Sequence, residues 1–241
     1  MREIKTEKVC AQVNELVNLA HSEEINEVLL WDHSLYDIDY YPERFRTGPG
    51  GTIDLDNTEF WEWLKDDYRQ MLDRVSEADG LVLTFIETGA YAERQFSKKM
   101  KSSEEKLAAV VNAISDVLIG ERKKKLYIRT FAYSEEEYKG TTGCIEYLKY
   151  DEVILMMKET PHDFFLTHPD NYYIQKMDRP VIVEFDLGNE YSGQGVVANT
   201  WPEHVMKRWN SYIHCPNVTG YVARTDRYGN TSIVNLSLIH I

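Results

Sequence analysis

The chain alternates short apolar runs with longer segments in which apolar residues recur at helical spacing. Six of the runs predict buried β-strands, because a strand covered on both faces loses the polar alternation of a half-exposed one. The predicted strands are Glu27–Trp31, Gly80–Phe85, Lys124–Tyr133, Glu152–Met157, Pro180–Asp186 and Gly220–Asp226.

Four segments between or before these strands carry apolar residues three or four positions apart, as amphipathic helices do. Asn57 or Thr58 is expected to cap the second helix and Ser103 the third, because short polar side chains satisfy the first amide groups of a helix. Strands that alternate with helices favour a parallel sheet covered by helices, which is either an open doubly wound sheet or a (β/α) barrel. The predicted helices cover residues 6–20, 58–77, 103–119 and 201–213.

The ends of the predicted strands favour the barrel. In (β/α) barrels the chemistry lies just past the C-terminal ends of the strands. Neither G-x-G-x-x-G nor G-x-x-x-x-G-K-[ST] occurs, and the GPGG sequence at Gly48–Gly51 lacks the strand and helix of a phosphate-binding loop. We therefore predict an α/β fold of the (β/α)8 type. The polar residues at the strand ends are Asp32, His33, Glu87, Arg129, Lys158, Asp163, Glu190, Arg224 and Asp226.

Composition narrows the possible partners and the compartment. The 241 residues include 43% hydrophobic ones, enough for a sizeable core, and a net charge of −13 disfavours nucleic acid and anionic membranes as partners. The chain contains neither an apolar run of about 18 residues nor the apolar stretch of a signal peptide. Cys10, Cys144 and Cys215 are far apart, so we expect free thiols in a reducing compartment and a cytoplasmic location.

Three carboxylates follow three different strands. Glu87 comes directly after GLVLTFI, Asp163 lies in KETPHDFF, and Glu190 lies in GNEYSGQG. Glycosidic cleavage needs such a set, because one acid protonates the leaving oxygen while another carboxylate activates water or attacks the sugar. The alternatives are a helix cap or surface ion pair for Glu87, a loop carboxylate satisfied by backbone amides for Asp163, and a solvated side chain for Glu190. Further metal ligands at suitable spacing are missing, so no metal ion and no cofactor is expected.

The segment from Asp79 to Gln194 resembles the catalytic barrel of glycoside hydrolase family 67, the α-glucuronidases. The family has a strand ending in Ser-Glu-Gly, a Trp-Arg-x-Phe-x-Tyr strand, a strand ending in Lys before Pro-x-Asp-Phe, and a Glu-Tyr-x-Gly-Gln motif. In the same order this chain has DGLVLTFIETG, IRTFAY, VILMMKETPHDFF and RPVIVEFDLGNEYSGQ. It departs from the family after the acid, where Thr88–Tyr91 replaces a Gln-Pro-Gly stretch, and at His162, where the family has an apolar residue.

The resemblance implies inverting hydrolysis of a bond to an acidic sugar, such as glucuronate on xylan fragments. Glu87 would be the general acid, and Asp163 and Glu190 would share the base role. Arg129 and Lys158 would hold the carboxylate of the sugar through charge-assisted hydrogen bonds. The alternatives are another barrel glycosidase and a non-catalytic carbohydrate-binding barrel. The remaining residues expected to contact substrate are Trp31, His162 and Tyr191.

The resemblance also places the predicted strands as the third to eighth of a barrel. The first two strands would then be missing, which leaves two sheet edges unpaired and is expected to impair the isolated chain as an enzyme. Residues 236–241, LSLIHI, match in frame the translation of a transposase sequencing adapter. We therefore expect a partial barrel over residues 1–235 and an adapter-derived artefact over 236–241.

Overall fold

The computed structural model describes residues 2–191 and 201–225. Its strands are β1 (Leu29–His33), β2 (Gly80–Thr84), β3 (Lys125–Arg129), β4 (Ile154–Lys158), β5 (Val181–Asp186) and β6 (Val218–Arg224). Its α-helices are α1 (Arg2–Ser22), α2 (Thr58–Arg74), α3 (Ser103–Ser115), α4 (Glu135–Gly143) and α5 (Pro202–Tyr212).

The six strands form one sheet whose order, β1 to β6, follows the sequence. In a doubly wound sheet the order of the strands reverses, so that successive strands are added first on one side of the first strand and then on the other. A (β/α) barrel adds each strand beside the previous one. The fold is therefore α/β, an incomplete (β/α) barrel of six strands, as predicted. The chain divides into two compact units, which are described separately: residues 1–127 with 140–153, and residues 128–139 with 154–241.

The first unit contains the parallel pair of β1 and β2, in which Leu29 lies opposite Gly80. All five residues of β2 are buried, as expected for a strand covered on both faces. The Asn57 side chain accepts a hydrogen bond from the Glu59 amide, which confirms one of the two expected caps of α2. Every fourth residue of α2 is buried in this core, which explains its apolar pattern: Phe60, Leu64, Tyr68 and Leu72.

The second unit contains the parallel strands β4, β5 and β6. Val181 and Val183 of β5 are completely buried, and so is Leu155 of β4. α5 begins at Pro202 and buries Arg208 and Tyr212 against this unit. The C-terminal ends of the strands leave Lys158, Asp186 and Arg224 at the points where the connecting loops begin.

Several predicted boundaries were wrong. The cap of α3 is Ser102, which forms a reciprocal capping box with Glu105, and not Ser103. Beyond Ser115 the backbone continues as the π-helical segment Asp116–Glu121. β3 ends at Arg129, four residues before the predicted end, and β1 begins two residues later than predicted. The predictions for Gly193, Gln194, Asp226 and the adapter segment 236–241 fall outside the described residues.

α4 was not predicted, because its sequence EEEYKGTTG has two glycines and two threonines and no apolar stripe. In the described part of the chain, no helix combines the length and the hydropathy that crossing a membrane requires.

Candidate active site

Arg129, at the end of β3, forms a buried ion pair with Glu184 of β5. Its Nε and Nη2 atoms donate to the two carboxylate oxygens of Glu184 at 2.7 and 2.8 Å. The side chains are only 7% and 1% exposed. A fork-to-fork pair of this kind is strong, and removing one partner leaves the other as an uncompensated buried charge. Two donors of the arginine that was expected to read a sugar carboxylate are therefore directed at a carboxylate of the protein itself.

Lys158, the last residue of β4, lies between a carboxylate and two aromatic rings. Its ammonium donates to Asp163 Oδ1 at 2.6 Å and lies 3.3 Å from the ring centre of Phe131 and 4.1 Å from that of Phe164. Burial, followed by the charge of Arg129, lowers the pKa of Lys158 to about 8. The rings and Asp163 thus hold a cation whose charge is only marginally retained above neutral pH.

Asp163 lies in the loop after β4, and both of its carboxylate oxygens are engaged. Oδ1 accepts from Lys158 and from the Phe164 amide, and Oδ2 accepts from the Tyr191 hydroxyl. Burial alone would raise the pKa of Asp163, but the hydrogen bonds from Lys158 and Tyr191 outweigh it and hold the pKa below its ordinary value. Asp163 is therefore ionised at neutral pH, as a base or water-positioning group must be.

Glu190 follows β5 and is paired with Arg224 at the end of β6. Arg224 Nη1 donates to Glu190 Oε2 at 2.7 Å, and both side chains are largely buried. The Asp186 carboxylate at the end of β5 stabilises the turn that leads to Glu190, because it accepts from the Gly188 amide at 3.0 Å and the Glu190 amide at 2.7 Å. The guanidinium carbon of Arg224 lies 5.7 Å from the centre of the Phe164 ring, which also contacts Lys158.

The second unit therefore brings together five of the eight residues predicted for the site, with Phe164 and Asp163 linking neighbouring pairs. Each cation lies at a strand end and pairs with a carboxylate, and the Phe131 ring lies beside both Arg129 and Lys158. We call this set the strand-end cluster: Arg129, Lys158, Asp163, Glu184, Glu190, Tyr191 and Arg224.

The other three predicted site residues are not part of this cluster. His162 precedes Asp163 but packs its ring edge-on against Tyr138, at 6.2 Å between ring centres. Glu87 and Trp31 belong to the first unit. Glu87 is exposed just after β2 and has a left-handed backbone with φ 59°, and Trp31 is 48% exposed on β1. The shared cavity of Glu87 with Asp163 and Glu190 stays a prediction.

The sequence places Glu184 within a predicted strand and Arg224 at a strand end, but it gives neither residue a role. A signal for Glu184 was present, since a charged residue inside the apolar strand VIVEFD requires a buried partner. Asn171 gave no such signal. Its Nδ2 donates to Lys158 O at 2.9 Å and to the Tyr138 hydroxyl at 2.8 Å, and its amide donates to Glu159 O at 2.9 Å. Asn171 thereby closes the loop that carries Asp163.

Comparison with known proteins gives structural neighbours only. No protein-family model matches the chain, and no curated protein matches it. A glycoside hydrolase family 5 enzyme from Prevotella bryantii B14, solved with a xyloglucan tetradecasaccharide, is similar at 12% identity with a TM-score of 0.48. That match covers 95% of this chain and 73% of the enzyme.

The N-acetylneuraminate lyase of Mycoplasma synoviae is similar at 15% identity with a TM-score of 0.41, over 71% of this chain. The chain spans about half of the length of that lyase, 51%. Similarities at such low identity do not establish a function, which depends on the residues of the site.

Proposed function

We propose that this chain is a carbohydrate-active barrel that hydrolyses a glycosidic bond to an acidic sugar, in the manner of the α-glucuronidases. The observation that supports the proposal most is the state of Asp163. It is held ionised by Lys158 and Tyr191 at the end of a barrel strand, where glycosidases carry their carboxylates.

The proposed reaction is an inverting hydrolysis. Glu87 would give its proton to the leaving oxygen while the bond from that oxygen to the anomeric carbon breaks. Asp163, with Glu190, would accept a proton from the water that attacks the opposite face of the same carbon. Inverting pairs lie roughly 6.5–9.5 Å apart so that this water fits between them.

Three cations at the ends of β3, β4 and β6 support an anionic substrate. Arg129, Lys158 and Arg224 are all largely buried, so their charges act in a medium of low dielectric. Each has a carboxylate partner, and the sugar carboxylate would compete with Asp163 for Lys158 and approach the edge of Arg129 that faces away from Glu184.

A glycosidase that acts on a neutral sugar is the second candidate. It is favoured by the bidentate pair of Arg129 and Glu184, which satisfies two donors of the guanidinium without any substrate. The two candidates differ in whether the cations of the cluster contribute to substrate binding.

The test is hydrolysis of a glucurono-xylo-oligosaccharide and of 4-nitrophenyl glucuronide by the purified chain, followed by NMR of the product anomer. Glu87→Gln should lower the rate on the oligosaccharide by about 10²–10⁴-fold, because its sugar leaving group must be protonated. The loss on the nitrophenyl glycoside should be far smaller, because nitrophenolate departs without help.

Glu7→Gln, a change at an exposed glutamate of α1, serves as the matched control and should leave both rates unaltered. Equal losses on the two substrates, or unaltered rates in Glu87→Gln, would overturn the proposal. Release of neutral sugar alone would establish the second candidate.

A further inference from the structure

A concave site of about 450 Å³ lies in the first unit, between α1, α2 and the end of β1. None of the residues that line it belongs to the strand-end cluster. Its lining combines tyrosine rings with two carboxylates and one arginine, and we call it the tyrosine–aspartate cavity. The side chains that matter for its chemistry are Asp32, Tyr36, Tyr40, Asp67, Tyr68 and Arg74.

Both carboxylates of the cavity accept hydrogen bonds from tyrosine hydroxyls. Tyr68 donates to Asp32 Oδ2 at 2.7 Å, and Tyr40 donates to both oxygens of Asp67 at 2.9 Å. The remaining oxygen of Asp32 accepts from the His33 amide at 2.8 Å. All of these donors are neutral, so they orient the two carboxylates without compensating their charge.

The negative charge of the cavity also lacks a cationic side chain. Among residues 2–191 and 201–225, neither Asp32 nor Asp67 forms an ion pair, whereas Asp116, a partly buried carboxylate of the same unit, contacts Lys65 and Lys149 at 3.0 and 2.6 Å. Burial raises the pKa of Asp67, the Tyr40 hydrogen bond opposes the rise, and the charges of Asp32 and Asp66 add to it. A cation in the cavity would therefore interact favourably with both carboxylates.

Two accessible rings line the same cavity. Tyr36 and Tyr40 are 62% and 58% exposed. Tyr36 meets His33 edge-on at 5.7 Å between ring centres, and Tyr40 meets Tyr41 edge-on at 5.4 Å and Trp63 at 6.0 Å. These contacts orient the rings, and within the described chain no lysine or arginine lies over either of them. The negative face of an aromatic ring attracts an ammonium group.

Arg74 is the one lysine or arginine in the described lining of the cavity. It is exposed and pairs with neither carboxylate of the cavity. It follows Asp67 by seven residues on α2, which corresponds to about 10 Å along the helix axis. The carboxylates and not Arg74 therefore determine the charge that a ligand meets beside the tyrosine rings.

We propose that the tyrosine–aspartate cavity binds a small organic cation with a primary ammonium group on an aliphatic chain. The ammonium group would donate to the two carboxylates and lie against the rings of Tyr36 and Tyr40. A primary ammonium fits better than a quaternary one, because the carboxylate oxygens accept N–H donors. The aliphatic chain would contact Leu64 and Met71, which also line the cavity. The site lies within the first unit and does not depend on the proposed hydrolysis.

The experiment is an NMR titration of the purified chain in about 150 mM NaCl, where interactions between exposed charges are largely screened. The probes are n-butylammonium, tetramethylammonium and 1-butanol. We expect saturable shifts of the His33 and Met71 amides with butylammonium. Tetramethylammonium should bind more weakly because it has no N–H donor, and 1-butanol at least about tenfold more weakly because it has no charge.

Three positions test the contacts of the ammonium group. Asp67→Asn should weaken butylammonium binding by about tenfold to a hundredfold, as the loss of a charge-assisted hydrogen bond predicts. Asp66→Asn is the matched control, because Asp66 is the neighbouring, exposed aspartate of α2 and lies outside the cavity. Tyr36→Leu should weaken binding about twofold to fivefold, while Tyr36→Phe retains it. Arg74→Met should not weaken it.

Four results would overturn the inference. Equal affinity for butylammonium and 1-butanol would show that charge is not recognised, and equal affinity for tetramethylammonium would show that N–H donors are not. Equal weakening in Asp66→Asn and Asp67→Asn would assign binding to the net charge of −13. Weaker binding in Arg74→Met would show that the cavity does not select a cation.

Discussion

At the scale of single residues, the charge of Lys158 determines the protonation of Asp163. Lys158→Met keeps the stem of the side chain among Phe131 and Phe164 but removes the ammonium that donates to Asp163 at 2.6 Å. Burial, which raises the pKa of Asp163, would then be opposed only by the Tyr191 and backbone hydrogen bonds. We therefore expect the pKa of Asp163 to rise in this variant, and carboxyl NMR titration measures the rise.

The sign of the effect on activity follows from this shift. If ionised Asp163 is the base, the acid limb of the pH–rate profile should move to higher pH in Lys158→Met. Lys149→Met is the control, because Lys149 also lies 2.6 Å from an aspartate, Asp116, but is 60% exposed. If the Asp163 carboxyl titrated at the same pH in Lys158→Met as in the native chain, Lys158 would not be the group that keeps Asp163 ionised.

The buried ion pair of Arg129 and Glu184 leads to a separate prediction about stability. Arg129→Met or Glu184→Leu alone should lower the free energy of unfolding by about 3–5 kcal/mol, because each removes one half of a buried, bidentate charge pair. The double variant should lose much less than the sum of the two, since apolar side chains replace the whole pair. Urea denaturation of the four chains measures the coupling, and additive losses would contradict a direct ion pair.

These residue contacts also separate what the sequence could predict from what it could not. The motif order placed Lys158, Asp163 and Glu190 at strand ends, because parallel strands bring their C-terminal ends to one edge of a sheet. The motif could not show that Arg129 already has a carboxylate partner. That pairing depends on residues 55 positions apart, and no local pattern records it.

At the scale of elements, the loop from Glu159 to Asn171 positions the proposed chemistry. Asn171 is completely buried and bonds the backbone of Lys158, the backbone of Glu159 and the Tyr138 hydroxyl. Asn171→Ala removes the side-chain hydrogen bonds to the Lys158 and Thr160 carbonyls, with the Tyr138 hydroxyl, and from the Tyr173 amide, which leaves buried polar groups with fewer partners. We expect a loss of about 2–4 kcal/mol in unfolding free energy, and faster hydrogen exchange confined to the amides of this loop.

Asn217→Ala is the matched control for that prediction. Asn217 Nδ2 makes one bond, to Ile174 O at 2.7 Å, in the same unit. Its loss should cost about 1 kcal/mol and leave exchange in the Asp163 loop unchanged. If amides throughout the unit exchanged faster in both variants, Asn171 would stabilise the unit in general and would not position the loop.

The elements themselves were largely predictable where the apolar pattern was strong. β2 and β5 were found because they are apolar on both faces, and α2 because every fourth residue is buried. α4 was missed because neither its propensity nor its pattern is helical. β4 begins two residues later than predicted, because an apolar run can extend into the turn before a strand: Val153 is completely buried but precedes β4.

At the scale of the whole molecule, stability should depend on pH through Glu159. Glu159 directly follows β4, is buried, and lies 3.1 Å from Arg208 of α5. Burial raises its pKa to about 7, Arg208 opposes the rise, and the charges of Asp186 and Asp170 add to it. Between about pH 4.5 and 7, the Glu159 carboxyl is therefore protonated in the folded chain and ionised in the unfolded chain.

The direction of the pH dependence follows from that difference. Below about pH 4.5 the carboxyl is protonated in both states, and its contribution to stability is fully present. As the pH rises towards 7, the unfolded chain releases the proton first, so the free energy of unfolding should fall by up to about 3 kcal/mol and then level off.

Urea denaturation between pH 4.5 and 8 should record this fall in the native chain. Glu159→Gln, which cannot titrate, should flatten it, while Glu203→Gln at an exposed position of α5 should retain it. A fall of the same size in Glu159→Gln would assign the pH dependence to the net charge of −13 and not to this carboxyl.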